Sequence, residues 1–139
     1  MRKLLSSALI IAVLATALVN LSSCEKDEGK LPNINFKTGG TYTSADLHLD
    51  AGDVVTVGIH ATKSEGEDVL KTLNESVSVN GATATTVQTI TIPSAQEDEY
   101  NNDFNITAAG ASGTTLKYIF TVTNRDGLTN AVSLTLTVN

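Results

Sequence analysis

The end of the chain alternates apolar and polar residues with a period of two. From residue 116 to 122 every second residue is Leu, Tyr, Phe or Val, and from 132 to 138 every second residue is Val or Leu. Successive side chains of a β-strand point to opposite faces, so this alternation predicts two strands with one buried face each. The Asn-Arg-Asp-Gly sequence at 124–127 is typical of a turn. The chain is therefore predicted to end in a β-hairpin.

The same period extends back to Leu31, and turn residues interrupt it at the intervals of a β-sandwich. Val69, Leu73, Val77 and Val79 are predicted to share the buried face of one strand. Pro93 has no N–H to donate, which predicts a strand end or an edge strand just before it. The predicted fold class is an all-β, antiparallel sandwich of about seven strands, at residues 33–37, 53–62, 69–79, 85–92, 102–108, 116–123 and 132–138, with a brief edge piece at Leu47 and Leu49.

The last two strands carry a resemblance. Tyr118 and Phe120, the Asp126-Gly127 turn and the final Val/Leu-Thr strand are together similar to the immunoglobulin-like folds of bacterial surface proteins, including polycystic-kidney-disease-type and cadherin-like modules. The resemblance covers roughly residues 31–139 and implies an immunoglobulin-like domain at 33–139. The chain has no Trp and one Cys, which excludes an antibody-type core. Such a resemblance concerns architecture and does not fix function.

The amino terminus has the proportions of an export signal. Arg2 and Lys3 precede an uncharged, mainly aliphatic run at residues 4–19. As a helix this run of about 16 residues would span roughly 24 Å, whereas a bilayer's hydrocarbon core is about 30 Å thick. A cleaved signal peptide is therefore favoured over a permanent membrane span.

The run ends in Leu21, Ser22, Ser23 and Cys24, which resemble the lipobox of bacterial lipoproteins. The resemblance implies that residues 1–23 are removed and that Cys24 carries a covalent lipid, giving the protein a membrane anchor. The alternative is an ordinary thiol behind a different cleavage site. Cys24 is the single Cys of the chain, so no disulfide within the chain is available to it.

Residues 24–32 are polar, lack apolar periodicity and are predicted to be the lipidated Cys and a flexible tether. Within them, Lys26, Asp27 and Glu28 resemble the surface-export signal of Bacteroidetes lipoproteins. That resemblance implies an outer-membrane location with the domain facing the cell exterior. The alternative is a charged, solvated tether without a sorting role.

Composition limits the partners. The chain has 9 Lys and Arg against 15 Asp and Glu, a net charge of −6, and loss of Arg2 and Lys3 with the signal makes the balance more negative still. Binding to nucleic acid depends on basic side chains that neutralise phosphates. A nucleic-acid partner is therefore excluded, and the mature length suits one domain with its own core.

Catalytic motifs are absent from the sequence. His48 and His60 are predicted to be solvated or edge-strand residues, and the Gly-Ala-Ser-Gly at 110–113 lacks the spacing of a nucleophile elbow. No phosphate-binding loop, HExxH or CxxC motif occurs. The chain is therefore predicted not to be an enzyme and to hold no cofactor apart from the lipid.

Two weaker site predictions concern ions and sugars. Loop carboxylates meeting at one end of the fold would offer Ca²⁺ oxygen ligands, the candidates being Glu97, Asp98, Glu99, Asp103 and Asp126. Their spacing matches no calcium-binding consensus, so solvated loop acids are the preferred interpretation. For a glycan, Tyr42 and Tyr100 are predicted to lie in loops as stacking contacts, whereas the other four aromatic residues fall on inward parities.

The sequence therefore predicts a non-enzymatic, lipid-anchored envelope protein whose domain acts in binding, adhesion or assembly through loops or an exposed sheet edge. The alternative is an accessory glycan-binding lipoprotein of a polysaccharide-uptake system. A small hydrolase that uses loop carboxylates is a third hypothesis. The identity of the protein or glycan ligand is left open.

Overall fold

A computed structural model describes residues 29–139 of the chain. Each predicted strand is present in it, and the brief edge piece at Leu47 and Leu49 is a strand of its own. The elements are β1 (Asn33–Phe36), β2 (Leu47–Leu49), β3 (Val54–Thr62), β4 (Leu70–Val79), β5 (Thr85–Thr91), a 3₁₀ turn (Ser94–Gln96), β6 (Glu99–Thr107), β7 (Thr115–Asn124) and β8 (Thr129–Val138).

These strands form two sheets. One has three strands in the order β1-β3-β6, and the other has five in the order β2-β8-β7-β4-β5. Neighbours are antiparallel except β2 and β8, which pair in parallel. Short-range connections between β3 and β4 and between β5 and β6 pass from one sheet to the other, as in immunoglobulin-like sandwiches. The all-β, immunoglobulin-like prediction is confirmed, with eight strands in the described range.

The core lies between the two sheets. Phe120 of β7 is fully buried, and its ring centroid lies 4.8 Å from that of Phe104 on β6 and 6.1 Å from that of Phe36 on β1. The alternation predicted for the terminal hairpin is confirmed, since its inward positions are the buried ones. Apolar burial of this kind is the main stabilising contribution in a domain without disulfides.

The predicted buried face of β4 is wrong at both ends of the strand, at Val69 and at Val79. Leu70 pairs with Asn124, but Thr72 pairs with Thr123, so Lys71 is an extra residue that forms a β-bulge. A bulge shifts the inward parity by one position, and Leu70 rather than Val69 therefore faces the core. At the other end, Val79 is 43% exposed.

The last four residues of the predicted tether lie against the sandwich. Pro32 is fully buried, and its carbonyl oxygen accepts a hydrogen bond from Asn130 Nδ2 at 3.0 Å. The carbonyl oxygen of Lys30 accepts one from Asn124 Nδ2 at 3.4 Å, and the Lys30 ammonium pairs with Glu65 at 2.9 Å. Lys30 and Pro32, which lie in the predicted tether, therefore contact the domain.

The predicted signal peptide at 1–23 lies outside the described residues. So do the lipobox Leu21, Ser22, Ser23 with Cys24, and the Lys26-Asp27-Glu28 triplet. Over residues 29–139, the structure contains no helix with the length and hydropathy needed to span a bilayer.

Candidate functional site

Loops that carry acidic residues meet at one end of the sandwich. The backbone N–H of Arg125, in the β7–β8 turn, donates to the Val69 carbonyl at 2.8 Å. The N–H of Leu70 donates to the Glu97 carbonyl, also at 2.8 Å. The β3–β4 loop, the segment before β6 and the final turn are therefore neighbours, which is the arrangement that a loop-borne ion site would need.

Each of the five predicted calcium candidates faces a cationic or imidazole group. The five predicted calcium candidates pair separately: Glu97 with Lys71, Asp98 with Lys63, Glu99 with His60, Asp103 with Lys37 and Asp126 with Arg125. Within residues 29–139, no group of three or more His, Cys, Asp or Glu side chains is arranged to hold a metal ion. The structure does not bring the candidates together as one ligand set.

One carboxyl pair does form, between Asp68 and Asp126. Asp68 is buried, and its hydrogen bond with Asp126, together with that burial, raises its pKa. The same hydrogen bond and the guanidinium of Arg125 lower the pKa of Asp126. Glycosidase carboxyls stand about 5 Å or more apart so that substrate or water fits between them. A directly hydrogen-bonded pair leaves no such gap and is typical of a structural contact.

The placement of Tyr100 in a loop is wrong. Strand β6 begins at Glu99, and Tyr100 shares the inward parity of Phe104 and Ile106. Its side chain is 7% exposed, so the ring offers no face to a sugar at the surface. The three acidic residues before it suggested a loop, but the even spacing of Tyr100, Phe104 and Ile106 was the signal for a longer strand.

Tyr42 is half-buried on the outer face of the three-stranded sheet. Its hydroxyl donates to Asp103 Oδ2 at 3.1 Å, and the Lys37 ammonium lies 2.8 Å from Asp103 Oδ1 and 5.5 Å from the centre of the Tyr42 ring. A Cβ on Gly58 would lie 2.7 Å from both side chains, so the glycine makes room for them. We call Lys37, Tyr42 and Asp103 the outer clasp.

The two histidines lie in different sheets. His48 is exposed on β2, in the five-stranded sheet, whereas His60 is on β3, where its Nε2 lies 3.0 Å from Glu99 Oε1. The Gly-Ala-Ser-Gly at 110–113 lies in the connection before β7. The sequence features considered for nucleophilic catalysis are therefore not gathered into one site.

The sheet edges differ in how well they are protected. Strands β1 and β2 have four and three residues. Strand β5 has seven residues, but Val87 is an extra residue that interrupts its pairing with β4, and Pro93 follows its end. Strand β6 has nine residues in unbroken register with β3 and contains no Lys or Pro. Natural edges are usually kept short, bulged or marked by charged residues and Pro. Strand β6 is long and regular and contains no Lys or Pro, and its charged residues are Glu99 and Asp103.

The unpaired side of β6, here called the free edge, has a defined set of backbone groups. Asp98 O and Ala108 N both bond toward β3. Because backbone direction alternates along an antiparallel strand, the even-numbered residues between them also face β3. The N–H and C=O groups of Asn101, Asp103 and Asn105 therefore point to the free edge, where no strand of residues 29–139 pairs with them.

The free edge points toward β4 and β5. In the core, β1 lies near β8, and Phe104 of β6 contacts Phe120 of β7. The two sheets are therefore stacked with β1 on the side of β8 and β6 on the side of β4 and β5. A sandwich of the constant type has a fourth strand beside the counterpart of β6, but here β5 connects to β6 through a short 3₁₀ turn. The larger sheet consequently extends beyond the smaller one.

The inner face of the larger sheet beyond β6 is here called the shelf. It is formed by Glu75, which is buried, by Val77 and Ile90, which are partly buried, and by Gln88, which is exposed. Glu75 pairs with Phe120 on one side and Gln88 on the other, which places its side chain on the core face. On β5 every residue except Ile90 is exposed, and Val87 is 54% exposed. The opposing sheet thus leaves β5 open to water on both faces.

Glu75 is the unusual member of the shelf because it is only 5% exposed. Its Oε2 accepts one hydrogen bond, from Gln88 Nε2 at 2.8 Å, and no Lys, Arg or His of residues 29–139 forms an ion pair with it. Burial, followed by the negative charge of Glu75, raises the pKa of Tyr118 on β7. Buried carboxylates are ordinarily paired, and sequence reasoning missed this one although Glu75 shares the inward parity of Leu73 and Val77.

Comparison with known proteins shows the fold alone. No protein-family model matches the sequence, and no curated protein matches it. Among solved structures, the chain is similar to Spo0M, a sporulation control protein from Bacillus subtilis, with a TM-score of 0.51 and 8% sequence identity. The similarity covers 79% of this chain and 50% of that protein, so the chain spans about half the length of this structural neighbour.

Proposed function

We propose that the chain is a non-enzymatic, lipid-anchored protein of the bacterial outer membrane, whose immunoglobulin-like domain faces the cell exterior and acts in binding, adhesion or assembly. The observation that carries the binding role is the free edge of β6, a regular nine-residue strand beside the shelf. Exposed edges of this kind recognise extended segments of other chains by adding a strand to the sheet. The domain would then be a protein-binding module rather than a scaffold.

The lipid anchor is supported by the lipobox resemblance of Leu21, Ser22, Ser23 and Cys24. A protein held by two or more acyl chains stays attached to its membrane, whereas a single chain binds only marginally. The short distance along the chain between Cys24 and residue 29 would keep the domain within roughly 15 Å of the headgroups. Outward display is supported by the resemblance of Lys26, Asp27 and Glu28 to an export signal.

The alternative glycan-binding role has lost one of its two contacts, since Tyr100 is buried. The hydroxyl of Tyr42 is already engaged by Asp103. No observation favours a glycan over a protein partner, and the glycan role is not advanced further.

The anchor is tested by expressing the full chain with Cys24→Ser in a host that exports it. We expect loss of metabolic acyl label and of membrane association, because the thioether has no sulfur on which to form. The Ser22→Ala variant keeps a small residue before the cysteine and is the matched control, which should be labelled normally. Unchanged labelling of Cys24→Ser would refute the anchor.

Outward display is tested by protease shaving of intact cells. The chain should be cut from the surface, while a variant with Asp27→Asn and Glu28→Gln should keep its acyl label but become protected from protease. Protection of the unaltered chain would place the domain inside the envelope and contradict the proposal. Equal cleavage of both proteins would refute the role of the acidic pair.

A further inference from the structure

We propose that the free edge of β6 accepts an extended segment of another protein that carries one Lys or Arg, and that Glu75 on the shelf binds this basic side chain. The inference rests on the proposed binding function and names its site and the chemistry of its partner. Three observations support it, concerning the backbone, the shelf and the charge.

The backbone supplies the docking geometry. The N–H and C=O groups of Asn101, Asp103 and Asn105 point to the free edge, and an incoming strand would pair with them as β3 pairs with the other side of β6. Neighbouring strands lie about 4.8 Å apart, so the added strand would lie one strand position beyond β6, above the shelf. It would take the place that a fourth strand has in other immunoglobulin-like sandwiches.

The shelf sets the side-chain pattern of the incoming segment. Every second residue of a strand beside β6 would point inward, toward Val77 and Ile90, which are partly buried. Apolar side chains at these positions would cover that surface. The segment is thus expected to alternate apolar residues with residues of any type.

The charge of Glu75 indicates which residue type the segment would carry at the inward position that faces it. Glu75 is 5% exposed, and its hydrogen-bond partner is the neutral amide of Gln88. A Lys or Arg of the segment would complete the pairing that a buried carboxylate requires. Three lysines of the domain are engaged elsewhere, since Lys37, Lys63 and Lys71 bind Asp103, Asp98 and Glu97.

A second copy of the chain is a poorer occupant. Strand β6 contains no basic residue, so its counterpart from another copy would bring no cation to Glu75. Pairing β6 with itself in antiparallel register would also place Asp103 near the Asp103 of the other copy, and like charges directly opposite one another are destabilising. The charge pattern therefore favours a different protein.

The test uses the full chain, purified in mild detergent, and nine-residue peptides that alternate Val and Thr. In the Lys series one Val is replaced by Lys, at each Val position in turn, and in the Glu series by Glu. Binding is measured by fluorescence anisotropy, and hydrogen exchange is followed at Asn101, Asp103 and Asn105. We expect the best Lys peptide to bind at least about tenfold more tightly than its Glu counterpart, and to slow exchange at those three amides.

Two variants separate the backbone from the charge. Asn101→Pro removes an N–H from the free edge without touching the ladder to β3, and should weaken every peptide, whereas Asn101→Ala keeps that N–H and should bind normally. Glu75→Gln should abolish the preference for Lys over Glu. If Asn101→Pro does not fold, Asn105→Pro tests the same edge.

The proposal is overturned if no Lys peptide binds, if binding leaves the three amides unprotected, or if the Lys preference survives Glu75→Gln. Protection of the same amides in a dimer of the chain alone would identify a second copy as the occupant. Protection in a monomer without peptide would identify a segment of residues 1–28. Either result overturns the basic-strand proposal, and none of these outcomes bears on acyl labelling at Cys24.

Discussion

The two halves of the larger sheet, β7 with β8 and β4 with β5, differ in how far the smaller sheet covers them. Strands β7 and β8 lie beneath the smaller sheet, and their inward residues Phe120, Val122, Leu134 and Leu136 are almost completely buried. Strand β5 belongs to the same sheet but is exposed along nearly its whole length. Its inward positions include the polar Gln88, which suits a wet surface. The difference shows that a strand can be well formed by backbone pairing while both of its faces stay exposed.

The largest expected effect is on the covered side. Phe120→Ala should lower the free energy of unfolding by about 3–5 kcal/mol, since it removes a buried ring that packs against Phe36 and Phe104. Val87→Ala on β5, where the side chain is exposed, should change it by less than about 0.5 kcal/mol. Urea unfolding followed by circular dichroism measures both. A comparable loss from Val87→Ala would mean that β5 is covered after all.

The covering sheet depends on the outer clasp. Gly58→Ala should cost about 1–3 kcal/mol, because its Cβ would collide with Lys37 and Tyr42. The matched control is Gly66→Ala, since a Cβ at that exposed loop position meets nothing within 4 Å, and its urea midpoint should stay close to that of the unaltered chain. Equal urea midpoints for the two variants would show that Lys37 and Tyr42 can move aside without a loss of stability.

On the uncovered side a substitution should stabilise the domain. Glu75→Leu replaces a buried carboxylate that has no cationic partner with an apolar side chain between Leu73 and Val77. It should raise the free energy of unfolding by about 1 kcal/mol, while removing the Lys preference in the peptide experiment. The Glu67→Leu control, at a side chain that is 91% exposed, should leave unfolding nearly unchanged. A destabilised Glu75→Leu protein would mean that Glu75 serves the fold rather than a partner.

The smallest effect concerns acid pH. The ammonium of Lys37, and then the hydroxyl of Tyr42, hold the pKa of Asp103 below its ordinary value of 3.8. A carboxyl with a lowered native pKa contributes stability above the ordinary value, and that contribution is lost as pH falls through the lowered one. The stability difference between the unaltered chain and Asp103→Asn should therefore shrink below about pH 4. A difference that is constant with pH, measured by urea unfolding, would contradict this role of the clasp.

Strand existence was predictable because side-chain period and turn residues are local properties of the sequence. The failures arose where one residue alters the count, as Lys71 does at the bulge in β4, or where a polar residue occupies an inward position, as Glu75 does. The order of strands in the sheets depends on contacts between distant residues, and the parallel pairing of β2 with β8 has no local signal. The sequence pattern predicted an exposed sheet edge as one possible binding surface but did not identify β6 as the strand that forms it.

The sequence did contain one clue to the free edge. Only a short segment with Pro93 and a 3₁₀ turn separates β5 from β6, which is too little chain for another strand as long as β3 or β4. By contrast, the pairing of Asp68 with Asp126 joins two loops that are far apart in sequence. Such a contact follows from the folded arrangement alone.

The contacts of residues 29–32 have a mechanical consequence. Asn124 and Asn130 hold the carbonyls of Lys30 and Pro32, so the beginning of the domain is fastened directly to its terminal hairpin. A force applied on the amino-terminal side would be transmitted to the larger sheet through these amides and to the smaller sheet through β1. If a ligand held β6 at the same time, tension would be shared by both layers instead of peeling β1 away from β3, and the sandwich would resist being opened from the side on which it is pulled.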